Sequence, residues 1–209
     1  MIILGVDPSL INNGFTVWDT DDFRLVWQGA VHNPSGSGHA GVSPYIKIRD
    51  AVKAVIQENG VEAVFVERMF QSRNPAVTEC LFIAQFMVKL ACFDMGVPCH
   101  VVSIMGKDGW KNFTLGTDYT KYKGNLSKVH TRRATEAALD VKFQSEHVAD
   151  SACIALAGWY LEAGIDYRTV RGVEIPVGVG VAAGSKPKLG GKQREPKPKK
   201  PAREAGCDA

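Results

Sequence analysis

The stretch MIILGVDPSLINNGFTVW, residues 1–18, contains the pattern that decides the fold. A short, almost wholly apolar run leads directly to Asp7, a polar segment follows, and a second apolar run starts after Asn13-Gly14. The first run predicts a buried strand that ends in a carboxylate. Because Asn-Gly is a turn signal, the pattern also predicts an antiparallel strand immediately behind the first.

The rest of the chain continues this strand pair into a mixed sheet. Residues 23–31 alternate between apolar and polar and predict a third antiparallel strand, with Asp21-Asp22 in the turn before it. Helical and strand patterns then follow one another, with strands at 61–67 and 97–103 and helices at 43–60, 74–96, 125–139 and 146–164. We therefore expect an α/β fold: a mixed five-stranded sheet, with a three-strand antiparallel meander plus parallel strands, flanked by helices.

Length and charge divide the chain into a body and a tail. The 209 residues suit one domain, which we place at 1–165, followed by an extension at 166–183 that could be an edge strand or an irregular wrap. Residues 184–209 are rich in Gly, Pro and Lys, and we expect them to be disordered. This tail carries a net charge of +5 and the remainder −2, so the overall +3 does not by itself predict a nucleic-acid partner for the body.

The cysteines and the hydropathy pattern bear on where the protein works. Five cysteines without a CxxC pair argue against a disulfide framework or a zinc site, and four of them lie in apolar patterns typical of a core. No apolar run approaches the roughly 18 residues of a membrane span. The N-terminus lacks a signal-peptide pattern. These features favour a reducing cytoplasm and no membrane.

One internal region is locally basic. Residues 107–133 contain seven Lys or Arg against Asp108 and Asp118, and residues 104–124 predict an unusually long polar loop. A local basic patch can contact phosphates even on a body without net positive charge.

Four side chains that can bind metals follow predicted strand ends or begin a helix. Asp7 ends the first strand and Glu67 the fourth, while His147 and Asp150 share one face near the start of the last helix. If these two strands are neighbours, both carboxylates lie at one end of the sheet, where open α/β sheets bind ligands. Clustered carboxylates repel one another, so such a cluster would require a hard cation such as Mg²⁺ or Mn²⁺.

Each of these residues also has an alternative explanation. Asp7 could be a turn former, and Glu67 could form a local ion pair with Arg68. His147 and Asp150 could complement the helix dipole. The order in which the four residues occur favours the metal site over the separate explanations.

Four segments resemble the RuvC family of Holliday junction resolvases, which have the RNase H-like fold. These segments appear in the family's order across roughly residues 1–159, and the first and last are the most specific: GVDPSLINNGFTV, VFVERMF, the region from WKNFTLG to NLSKVHTRRA, and HVADSACIALAG. The resemblance assigns the domain at 1–165 to an RNase H-like, RuvC-type nuclease.

The resemblance implies roles for individual residues. Asp7, Glu67, His147 and Asp150 match the four catalytic, metal-binding positions, the third of which is Asp or His within the family. Phe70 matches the aromatic side chain that inserts at the junction centre, although it could instead pack on the following helix. Lys111 and Lys128 resemble the family's phosphate-contacting lysines, and Lys121 and Lys123 could serve instead. Arg132 and Arg133, on the next predicted helix, would extend the DNA-facing surface.

The implied activity is a Mg²⁺-dependent endonuclease that resolves four-way DNA junctions. It would act as a homodimer with two metal ions per site, leave 5′-phosphate and 3′-hydroxyl ends, and work in a bacterial or phage-infected cell. The tail would add non-specific, salt-sensitive DNA affinity. Three alternatives stay open: a nuclease of broader specificity for flaps or branched DNA, an actin-like phosphotransferase, and an inactive junction-binding protein.

Overall fold

The computed structural model describes residues 1–33, 41–104, 109–111 and 125–164, with the backbone alone at 125–130. The strands are β1 (Ile2–Asp7), β2 (Asn12–Asp19), β3 (Arg24–His32), β4 (Ala63–Glu67) and β5 (Cys99–Val102). The helices are α1 (Ser43–Asn59), α2 (Pro75–Met95), α3 (Asn125–Leu139) and α4 (Glu146–Glu162).

The strands form one five-stranded sheet in the order β3-β2-β1-β4-β5. Strands β1, β2 and β3 pair antiparallel, because the chain between them is too short for a crossover, whereas β4 and β5 extend the sheet in parallel after helical connections. The predicted fold class, a meander extended by parallel strands and flanked by helices, is confirmed.

Helices cover both faces of the sheet. Alternation along β4 sends Ala63 and Phe65 to the core under α4, and Val64 and Val66 to the core under α1 and α2. Helix α4 packs mainly on β1 and β2, while α3 packs against α4. The central strand β1 is therefore buried on both faces from Ile3 to Asp7.

The turn between β1 and β2 differs from the prediction. Asn13 and Gly14 lie inside β2, where Gly14 pairs with Asp7, and the chain reverses at residues 8–11. The Ser9 backbone N–H donates to Asn13 Oδ1 over 2.9 Å, which holds this turn. The Asn-Gly pair therefore does not form the turn, and its glycine is needed for the packing of α4, described below.

Helix α2 is long and apolar. By length and composition alone it could cross a membrane, but the core helix of a soluble protein passes the same test, so the expectation of no membrane stays a prediction. Its start is capped by Asn74, whose side chain accepts from the Ala76 N–H, and Gly96 ends it with φ +66°. One side, including Ala84, Val88 and Cys92, packs into the core.

The cysteines expected in the core are largely buried. Cys80, Cys92 and Cys153 are buried and Cys99 is partly buried, whereas Cys207 lies outside the described residues. Most of the long loop at 104–124 and everything after residue 164 also lie outside them, so the predicted division into 1–165, 166–183 and 184–209 stays a prediction.

Candidate active site

Two of the predicted carboxylates lie side by side at one end of the sheet. Strand β1 ends at Asp7 and β4 at Glu67, and these parallel neighbours pair in register up to Val6 and Val66. Parallel neighbours end at the same sheet edge, which brings the two side chains together. Only 8% of Asp7 and 9% of Glu67 is exposed, so neither residue is an ordinary solvated turn or surface residue.

The start of α4 crosses this end of the sheet with His147 and Asp150. Ser145 caps the helix by accepting the Val148 N–H, which fixes where the first turn begins. The helix approaches the strands closely because β2 has a glycine at the contact. An ideal Cβ on Gly14 would lie 2.0 Å from the His147 carbonyl oxygen.

A second glycine extends this close contact along the helix. An ideal Cβ on Gly5 of β1 would lie 2.0 Å from the Ser151 carbonyl oxygen. Separations this short are impossible for real side chains, so no other residue fits at either position without moving α4. The two glycines thus set the distance between the helix and the strand that carries Asp7.

At this distance a hydrogen bond joins the helix to β1. His147 Nδ1 lies 2.7 Å from Asp7 Oδ2, and 27% of the histidine side chain is exposed. If Nδ1–H of a neutral His147 donates this hydrogen bond to Asp7, the imidazole has its lone pair on Nε2. Asp7 then selects the tautomer whose outer nitrogen can bind a cation or accept a proton.

The surroundings of Glu67 raise the pKa of its carboxyl group. Burial raises its pKa to about 8, and the negative charge of Asp7 adds to the shift. A hydrogen bond from Trp110 Nε1 to Glu67 Oε1, 2.9 Å long, and the charge of Lys111 act in the opposite direction. Gln85 of α2 fixes the backbone here by donating to the Glu67 carbonyl oxygen over 2.6 Å.

Asp150 belongs to the same electrostatic group. Burial raises its pKa well above the usual value, and the charges of Asp7 and Glu67 raise it further, while Lys111 and His147 lower it. The three carboxyl groups therefore lie near enough to disfavour one another's ionisation.

The donor set fits a hard divalent cation in chemistry, but the side chains do not yet surround one. Within the described residues, no three His, Cys, Asp or Glu side chains form a ready-made ion-binding group. Carboxylate oxygens and an imidazole nitrogen are nevertheless suitable ligands for Mg²⁺ or Mn²⁺. A cation would also relieve the repulsion that raises the carboxyl pKa values, so the residues fit a metal that draws them together on binding.

The residues predicted to contact DNA differ in how far the structure describes them. Phe70, three residues after Glu67, is 56% exposed and therefore does not serve as a core residue. The ammonium of Lys111 lies 5.4 Å from the centre of the Trp110 ring, beside the carboxyl groups. Lys121 and Lys123 lie outside the described residues, as does the side chain of Lys128.

The two arginines of α3 have different surroundings. Arg132 donates to Glu136 Oε1 over 3.0 Å and to the Phe143 carbonyl oxygen, and Lys142 also pairs with Glu136. This network joins α3 to the connection that leads into α4. Arg133 is exposed. Of the pair, Arg133 has the more accessible side chain for a phosphate.

Two contributors to the site are not predicted from the sequence. Trp110 donates a hydrogen bond to Glu67 through its indole, and its place at the start of the WKNFTLG segment does not indicate that role. Gly14 allows α4 to pack closely on β2, but the sequence Asn13-Gly14 is typical of a turn and does not indicate this contact. Both roles depend on elements distant in sequence, which a local pattern does not reveal.

The chain was compared with protein families, curated proteins and solved structures. No family model matches it. Over 100 residues it is 33% identical to the crossover junction endodeoxyribonuclease RuvC of Paramagnetospirillum magneticum. This alignment covers 47% of the chain and 59% of that protein, so the chain matches less than two thirds of its curated relative.

Two solved structures of Thermus thermophilus RuvC share the fold. One structure of RuvC superposes with a TM-score of 0.60 at 24% identity, and a structure of RuvC in complex with a Holliday junction substrate superposes with 0.60 at 23%. Each match covers 78% of this chain and 97% of the other. The resemblance to RuvC expected from the four sequence segments is thus confirmed, and with it the RNase H-like fold.

Proposed function

We propose that this RuvC-like chain is a metal-dependent, structure-selective DNA endonuclease that resolves four-way junctions. It would hydrolyse paired phosphodiester bonds and leave 5′-phosphate and 3′-hydroxyl ends. The observation that carries the proposal is the cluster of Asp7, Glu67, His147 and Asp150 at one end of the sheet. The nuclease domain would span residues 1–165, in the cytoplasm of a bacterial or phage-infected cell.

The four clustered residues would hold the metal. We assign two Mg²⁺ ions to Asp7, Glu67 and Asp150, with His147 completing the ligand set and Mn²⁺ as a substitute. Two such ions supply a stronger nucleophile from water and stabilise the leaving oxygen of a phosphodiester. The raised pKa values of Glu67 and Asp150 support this assignment, because the carboxyl groups disfavour each other's ionisation unless positive charge lies between them.

The protein side chains would orient the reacting groups. Asp7 holds His147 by the 2.7 Å hydrogen bond at Nδ1, which directs Nε2 away from β1. Trp110 holds one oxygen of Glu67. Lys111 lies near enough to lower the pKa of both Glu67 and Asp150, so its ammonium is well placed to attract a phosphate to the same spot.

The exposed residues around the cluster would bind the branched DNA. Phe70 would insert at the junction centre, and its exposure supports this role. Lys111 and Arg133 would contact phosphates, with Lys121, Lys123 and Lys128 as further candidates. Arg132 is the least favoured of the proposed set, because its guanidinium is already bound to Glu136 and Phe143.

A homodimer would match the two-fold symmetry of a four-way junction. Helix α2 supplies the best candidate surface, because three of its phenylalanines are 50–83% exposed: Phe82, Phe86 and Phe93. They share one side of the helix, opposite the residues that pack into the core. A second copy of this chain is the occupant we propose for this surface.

Removal of the Asp7 carboxylate tests the function. We expect Asp7→Asn to abolish cleavage of a four-way junction in Mg²⁺ while junction binding, measured by gel shift in Ca²⁺, stays within about threefold. The matched control is Asp22→Asn, an exposed aspartate in the turn at the opposite end of the sheet, which should cleave normally.

The choice of DNA separates this function from its nearest rival. Single-turnover cleavage is compared on four-way, three-way and flap DNA. Preference for the four-way junction supports a resolvase, whereas equal rates on all three would indicate a nuclease of broader specificity. Retained cleavage by Asp7→Asn would contradict the assignment of the metal site.

A further inference from the structure

Trp110 is held rigidly between β5 and the catalytic end of the sheet. Its backbone N–H donates to the Ser103 carbonyl oxygen over 2.9 Å, just after β5 ends. Its ring is 1% exposed and packs in the core under α4 with Phe65, Val102 and Val148. Both the backbone and the ring are thus fixed by contacts that do not involve the site.

The indole of this fixed ring points at a carboxylate. Trp110 Nε1 donates to Glu67 Oε1 over 2.9 Å, and both groups are buried. An indole N–H can donate a hydrogen bond but cannot accept one. Glu67 is therefore always the acceptor in this contact, which orients its carboxylate. Glu67 is thereby held by a donor from the chain segment that follows β5, in addition to its own strand.

A second buried tryptophan shows that this contact is not a general consequence of burial. Trp18 is also 1% exposed and belongs to the same core, yet its Nε1 is a buried nitrogen without a hydrogen-bond partner within the described residues. A buried indole N–H without a partner loses the hydrogen bond that it makes to water in the unfolded chain. Trp110 avoids this loss only because Glu67 lies opposite it, and Trp18 provides a natural control.

The face of the same ring carries a cation. Lys111 Nζ lies 5.4 Å from the centre of the Trp110 ring, within the range of a cation–π contact. The edge of the indole therefore holds a carboxylate while its face holds an ammonium. One side chain fixes the relative positions of a proposed metal ligand and a proposed phosphate contact.

We propose that Trp110 is a positioning residue that holds Glu67 in the orientation required for divalent-metal binding and keeps Lys111 beside it. This inference rests on the proposed nuclease function for its role in catalysis, but its effect on metal binding can be measured without DNA. Trp110 does not touch the reacting atoms; it acts through Glu67.

The first test replaces Trp110 by Phe, which removes the N–H and keeps an aromatic ring. Loss of an outer contact to a metal ligand typically costs about 10- to 100-fold in affinity or activity. We expect the Kd for Mn²⁺, measured by isothermal calorimetry, to rise by about that factor. Single-turnover cleavage should need correspondingly more Mg²⁺, with KM for the junction within about threefold of the unsubstituted protein. Trp18→Phe, which removes no hydrogen bond, should leave all three quantities unchanged.

A second test follows the indole proton in the unsubstituted ring. The indole N–H signals of the four tryptophans are resolved by ¹H–¹⁵N NMR and assigned with single Trp→Phe variants. We expect the Trp110 signal to shift on Glu67→Gln and on addition of Mg²⁺, while the Trp18 signal stays in place. This readout decides the inference even if Trp110→Phe fails to fold.

The two proposals can fail separately. An unsubstituted protein that cleaves none of the branched DNAs contradicts the function, yet calorimetry and NMR still test the positioning role. Conversely, an Mn²⁺ affinity within twofold for Trp110→Phe, or a Trp110 signal insensitive to Glu67→Gln, overturns the positioning role whatever the protein cleaves.

Discussion

Helices α2 and α4 are similarly apolar in sequence, yet the structure uses them differently. In α4 eleven of 17 residues are buried, because the helix lies across the middle of the sheet. In α2 only six of 21 are buried, and its phenylalanines face outward. Apolar composition therefore predicts that a helix surface will be covered, but not whether its own chain or another molecule covers it.

The first prediction concerns the close packing of α4 on the sheet, where we expect a substitution to have the largest effect. Gly14→Ala would place a Cβ against the His147 carbonyl oxygen, which is backbone and cannot swing away. We expect a loss of about 1–3 kcal/mol in the free energy of unfolding, measured in urea, because overpacking forces the helix outward. Cleavage should fall at least tenfold, since Asp7 and His147 separate.

A neighbouring glycine offers the control for this substitution. At Gly29 of β3 an added Cβ would meet the far end of the exposed Trp27 side chain, which can move. Gly29→Ala should therefore change stability by about 0.5 kcal/mol or less. Equal losses for the two variants would show that the helix contact at Gly14 is not special.

The second prediction concerns the exposed side of α2, where we expect a substitution to have an intermediate effect. Phe86→Glu should convert the proposed dimer into a monomer, because a charge replaces a 58% exposed aromatic at its centre. Sedimentation velocity measures the change in oligomeric state. The monomeric variant should keep its midpoint of unfolding in urea. Val26→Glu on the edge strand β3, where Val26 is 38% exposed, should leave the oligomeric state intact. A monomeric unsubstituted protein would contradict the proposed dimer.

The smallest effect on stability is expected in the segment between β4 and α2. Phe70→Ala should change the free energy of unfolding by less than about 0.5 kcal/mol, because Phe70 is mostly exposed. It should still bind a junction but open its centre poorly, as reported by the fluorescence of 2-aminopurine at the crossover. An unchanged fluorescence signal would exclude an inserting role for Phe70.

The sequence predicts the positions of the two strand carboxylates of the candidate site, because these positions follow from where the strands end. Asp7 and Glu67 each end an apolar run, and parallel pairing of those runs is sufficient to bring the carboxylates together. His147 and Asp150 follow from helical periodicity in the same way. In both cases the informative sequence pattern is local, and the topology of the sheet brings the residues together.

The supporting contacts could not be predicted, because each joins parts of the chain that no local pattern connects. Trp110 and Glu67 are separated by 43 residues, and nothing in either segment indicates the other. Asn13-Gly14 by itself favours a turn, but in the structure Gly14 lies in β2, where it makes room for α4. Arg132 resembles a phosphate contact in a basic region until Glu136 and Phe143 are found to bind it.

The bond between Asp7 and His147 has a consequence for synthesis of the protein. Its two residues are 140 positions apart, so Asp7 is synthesised long before His147. Domains are built from the N-terminus at about 5–20 residues per second, which leaves the sheet without α4 for several seconds. A partly made chain therefore lacks the complete candidate site, and any activity that depends on the site must wait until α4 has left the ribosome and docked.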